Sequence, residues 1–107
     1  MPAHASSVEI DSYVIDVLMR DLVGHDRTPS AFVVYLYLAA RTEREMTHGI
    51  AVSLSKIAAA TGLSKTAVQG AVANLKRREL IAVSKQSETS TPVYSLKRHW
   101  RRRLRNA

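Results

Sequence analysis

The side chains able to do covalent or acid–base work are few in this sequence and poorly grouped. In 107 residues there are four histidines, nine acids and no cysteine. His4, His25, His48 and His99 lie far apart, without metal-ligand spacing. No glycine-rich phosphate loop or nucleophile elbow occurs. Asp16 and Asp21 sit in an amphipathic stretch, where solvated charge explains them most simply. Enzymatic activity and a cofactor are therefore not expected. A different chemistry, the reading of base edges by hydrogen bonds, is better supplied. If Val68, Val72 and Leu75 of a helix face a core, then Lys65, Thr66, Gln69, Gly70 and Ala73 share the opposite face. Gln69 can bond the N6/N7 edge of adenine bidentately, and the Thr66 methyl can pack on thymine. Gly70 and Ala73 are small enough to let a helix approach a groove floor. Ser53, Ser55, Lys56, Ser64 and Lys65 are candidates for phosphate contact, helped by free N–H groups at helix starts. Lys76, Arg77 and Arg78 can reach phosphates too, although a basic run at a helix end also answers the helix dipole.

These residues need elements to hold them, and the stretch Ser55–Leu75 provides two. Ser55 is a good N-cap for a short helix, Lys56 to Thr61, which Gly62 ends by supplying a left-handed residue. Ser64 caps a second helix, Lys65 to about Arg78. Apolar residues recur at steps of three and four: Ile57 and Ala58, then Val68, Val72 and Leu75. Two helices joined by so tight a turn bury their stripes only by crossing steeply. That is the helix-turn-helix unit, whose second helix enters the major groove of DNA.

The rest of the chain builds a domain around this unit. Residues 1–11 carry no periodicity and read as a flexible arm. Val14, Leu18 and Leu22 mark a helix from Asp11 or Ser12 to about Val23, ended by Gly24. Thr28 and Pro29 open a further helix, to about Glu43, as cap and first helical residue. Its apolar residues, Phe32 to Ala40, go nearly all round, so it is the core helix or meets a partner subunit. Ile50 to Leu54 suits a short strand. Leu80–Val83 and Val93–Leu96 bracket a Ser/Thr-rich loop and read as a hairpin. In the tail, Leu96, Trp100 and Leu104 fall at steps of four, so 98–107 is a short helix or a basic arm.

Charge divides along the chain. Residues 1–50 hold seven acids and four bases, net −3, whereas 51–107 hold twelve bases and two acids, net +10. The basic half contains the helix-turn-helix, the footprint of a polyanion binder. Arg101 and Arg102 in the tail, and Lys85 beside the hairpin loop, join the candidates for backbone contact. No apolar run approaches the roughly 20 residues a membrane span needs. A cytoplasmic, nucleoid-bound protein is expected, and the missing cysteines fit a reducing compartment.

The run VSLSKIAAATGLSKTAVQGAVANLKRRELI resembles the winged-helix bacterial regulators of GntR and MarR type. It is also similar to the winged helices of phage and plasmid replication proteins. The resemblance spans about residues 28–97. It implies a mainly α fold of three or four helices with a two- or three-stranded antiparallel sheet, a hairpin wing and an optional C-terminal helix. It implies DNA binding through the second helix of the motif, with the wing on the backbone or minor groove. Two positions depart from the pattern. Glu79 stands where such domains have glycine, so it takes φ > 0 or the helix ends otherwise. The wing loop Gln86–Thr91 carries no base and contains Glu88.

The expectation is a sequence-selective binder of double-stranded DNA acting as a transcriptional regulator. A replication-initiation or partition module of a mobile element is the alternative. A winged helix serving a protein partner is a third, which the basic charge disfavours. A homodimer is expected through the helix Ser12–Val23, with the tail around Trp100 as a second candidate surface.

Overall fold

A computed structural model describes residues 6–101. A leading helix is wound mainly as π-helix over π1 (Val14–Leu18) and π2 (Arg20–His25). Its bonds skip five residues: the Met19 N–H meets the Val14 carbonyl, and the Asp26 N–H meets that of Asp21. This wider winding keeps four-residue steps on one side, and Val14, Leu18 and Leu22 are all buried, as their spacing predicts. Gly24 does not end the helix. The chain reverses instead at Arg27, which takes the left-handed conformation at φ 53°.

Helix α1 (Pro29–Glu45) has Pro29 in its first turn and ends on left-handed Met46, past the expected Glu43. Thr28 occupies the cap position but does not cap with its side chain; its hydroxyl donates to the Asp26 carbonyl at 3.0 Å. α1 is the central helix. It packs on π2, α2 (Leu54–Thr61), α3 (Lys65–Arg77) and the sheet, burying Phe32, Val34, Tyr35 and Leu38.

Strand β1 (Ile50–Ala51) is shorter than the Ile50–Leu54 run, because α2 already begins at Leu54. β2 (Ile81–Ser84) and β3 (Val93–Leu96) form the expected antiparallel hairpin, and β1 adds to the free side of β3. Ile50 and Val83 both pair with Tyr94, so these three share one inward face of the sheet. At Gly49 a Cβ would lie 2.8 Å from the Val93 Cγ1, so only glycine lets the two segments approach.

The chain turns helical again at 99–101, and Trp100 folds back onto its own domain. Its ring stacks on Tyr13 at 4.6 Å, and its Nε1 donates to Asp11 at 2.8 Å. Ile10 also packs on the core, so the last residues of the expected arm are tied down. The result is a helix-rich unit with a three-stranded antiparallel sheet, a winged-helix arrangement.

Candidate nucleic-acid interface

The turn between α2 and α3 is built by local hydrogen bonds. Ser53, not Ser55, caps α2: its Oγ accepts from the Lys56 N–H at 3.1 Å. Ser55 lies exposed in the first turn instead. Gly62 ends α2 at φ 81°, as expected, and Ser64 caps α3 by accepting from the Ala67 N–H at 3.0 Å. Behind α3, Val68, Ala71, Asn74 and Leu75 are buried, while Val72 is only half-buried. The inward stripe is thus rotated slightly from the Val68–Val72–Leu75 expectation.

Rotation leaves the outer face as an unbroken exposed row: Lys65, Thr66, Gln69, Gly70, Ala73, Lys76 and Arg77. Gly70 has no internal reason to be glycine. It lies mid-helix without positive φ, and an added Cβ would meet nothing within 4 Å. From Ala51 to Arg78 the sequence has no acid at all. The exposed face therefore carries cations without local neutralisation.

Beside this row an open groove of about 260 Å³ lies between the start of α2, the start of α3 and the hairpin loop. Ser53, Ser55, Lys65, Lys85 and Thr91 line it, which brings together four residues singled out from the sequence. The Lys85 Nζ donates to the Glu88 carbonyl at 3.2 Å, curling the loop over its own base. At the tip, the hydroxyls of Ser87, Thr89 and Ser90 bond one another.

Other candidates lie elsewhere. Lys56 is exposed on α2, and Arg77 donates to the Asn74 side chain. Arg101 is carried to the end of β3 away from the hairpin loop, a strand length of about 10 Å. There its guanidinium grips Asp11 at 2.7 and 2.9 Å, with Glu43 at 3.8 Å. Together with the Trp100 bond, that grip holds the Asp11 carboxyl at about 2. Arg102 lies outside the described residues.

Sequence reasoning missed one network altogether. Arg78 does not point outward; it clamps Asp26 with two bonds of 2.8 Å. Asn74, the only buried polar residue among the described ones, donates to the same carboxylate at 3.1 Å, and the His25 Nδ1 lies 2.9 Å from it. Arg78 above all, then His25 and Asn74, hold the Asp26 carboxyl far below the usual carboxylate range. The last turn of α3 is thereby fixed to the loop after π2. An asparagine inside an otherwise apolar stripe was the available signal.

Helix α3 leaves the domain through Glu79, at φ 57°. The Leu80 N–H reaches the Leu75 carbonyl and the Glu79 N–H that of Lys76, both at 2.9 Å, a Schellman end with glutamate at the usual glycine position.

No protein-family model matches the chain, and no curated protein or solved structure is significantly similar to it. Among the described residues no group of three or more histidines and acids could hold a metal ion, and no helix is long and apolar enough to cross a membrane.

Proposed function

We propose that this chain is a winged-helix DNA-binding protein of the GntR and MarR kind, acting as a transcriptional regulator. The outer face of α3 enters the major groove of duplex DNA. Gln69 and Thr66 read base edges, and Lys65 stands at the groove mouth. Ser53, Ser55, Ser64 and Lys85 hold the flanking phosphates, with the N–H groups at the starts of α2 and α3 turned toward the same charge.

One observation carries the reading. Glycine in a helix interior costs about 1 kcal/mol against alanine, and nothing inside the fold requires it at Gly70. A close approach from outside does. The five exposed cations Lys56, Lys65, Lys76, Arg77 and Lys85 supply the attraction. At about −0.9 per phosphate they give a log–log salt slope near −4.5, which the tail bases extend to roughly −5 to −7.

The test is Gly70→Ala. It should stabilise the free protein by roughly 0.5–1 kcal/mol while weakening duplex binding by about tenfold. Stabilisation with unchanged binding, or binding indifferent to salt, would remove the support.

A further inference from the structure

Among the described residues, five large apolar side chains are exposed: Ile15, Met19, Val23, Val33 and Met46. Three of them lie on the leading helix at four-residue steps, with Ile15 46%, Met19 37% and Val23 39% exposed. This row runs beside the buried Val14, Leu18 and Leu22, so the helix carries two adjacent apolar stripes and its domain covers one. Asp16 and Arg20 border the open stripe, both exposed, and neither has an ion-pair partner among the described residues.

We infer that this stripe seats a second copy of the same chain, its leading helix antiparallel to the first. The charge order selects that occupant. A two-fold axis at Met19 sets Ile15 against Val23 of the second copy, and the reverse. The same axis brings Asp16 to within about 3 Å along the helix of the position opposite Arg20 of the second copy. Each copy thus supplies the acid for the other's base, and the surface is complementary to itself. An anionic lipid surface would want bases alone beside the stripe, and the acid and base here balance. Trp100 takes no part, because it is buried on its own domain against Tyr13. The interface is one helix face, far smaller than the roughly 800 Å² per partner of a stable complex, so the dimer is weak and exchanging.

Sedimentation equilibrium of the described chain without DNA tests this, so failure of the DNA reading would leave the result intact. Self-association is expected with a Kd of roughly 10–100 µM, the range of small interfaces. Met19→Glu, at an exposed site, should fold as wild type by circular dichroism and remain monomeric. Asp16→Arg or Arg20→Asp alone opposes like charges twice across the axis and should weaken association about three- to tenfold. The double reversal should restore it. A wild-type chain still monomeric at about 500 µM, well above that range, would overturn the inference. So would Met19→Glu associating like wild type, or a double reversal no tighter than either single one.

Discussion

Replacing Asp26 by asparagine should cost this small domain a large part of its stability. The carboxylate accepts two bonds from Arg78 and one from Asn74, and its side chain is only 7% exposed. Hydrogen bonds to charged groups contribute about 1.5–3 kcal/mol each, so the two from Arg78 stand for about 3–6 kcal/mol before relaxation. Arg78, at 34% exposed, can turn to water once released, which recovers part of that loss. The net cost of Asp26→Asn should be about 2–3 kcal/mol, near the lower edge for a broken buried pair. That lowers Tm by roughly 10–20 °C in a domain of this size. Arg78→Met should cost more, because it strands the buried partner without its counter-charge. The pH dependence has a definite sign. The folded pKa of Asp26 lies below its unfolded value, so its contribution is fully present above pH 4. It fades as pH falls through the depressed value. Urea unfolding of wild type, both single variants and the double variant, at neutral and acid pH, gives the coupling energy. A loss below about 0.5 kcal/mol for Asp26→Asn, within the ordinary range of surface substitutions, would refute the reasoning. An acid slope unchanged from wild type would do the same.

Two further outcomes are expected. A left-handed residue other than glycine costs about 1–2 kcal/mol, and glycine returns about 0.4–1 kcal/mol of that as unfolded-chain entropy. Glu79→Gly should therefore stabilise by roughly 0.5–1 kcal/mol in thermal or urea unfolding; a destabilised variant would mean that the Glu79 side chain contributes more than its backbone strain costs. The only tryptophan reports on the Asp11 clasp, whose acid has its pKa lowered from 3.8 to about 2. Trp100 emission should change as pH falls from 4 toward 2, and Asp11→Asn should show the altered emission already at neutral pH; a flat profile would place Trp100 elsewhere.

Much of the architecture was legible because its signals are local. Gly62, Ser64, the Val14–Leu18–Leu22 stripe and the hairpin each announce themselves within a few residues, and the structure has each in place. Glu79 met one of the two outcomes open to it. The misses come from competition between like residues or from distance. Ser53 and Ser55 offer the same capping oxygen, and only the end of β1 decides between them. Val72 outranks Ala71 in apolarity, yet helix phase buries Ala71. Nothing in the run Lys76-Arg77-Arg78 says which base meets an acid 52 residues away. The π winding is equally silent, since apolar steps of four fit both helices. Within the candidate interface, the groove between α2, α3 and the hairpin loop brought together residues chosen separately as helix starts and loop bases. The Asp26 network, a long-range pairing, had no local sign except Asn74.

The proposal that α3 reads DNA sequence meets its most direct test in the ratio of specific to non-specific affinity. A preferred site is first selected from random duplexes. Wild type and Gln69→Ala are then titrated against that site and against random duplex of equal length, at one fixed salt concentration. Gln69 is exposed at the middle of the outer row, bonded to nothing within the fold that would suffer from its loss. Gln69→Ala should cost about 1–3 kcal/mol on the preferred site and much less on random DNA, collapsing the ratio. An unchanged ratio for Gln69→Ala, together with a ratio abolished by deleting the tail from residue 102, would contradict the proposal and make the basic tail the reader.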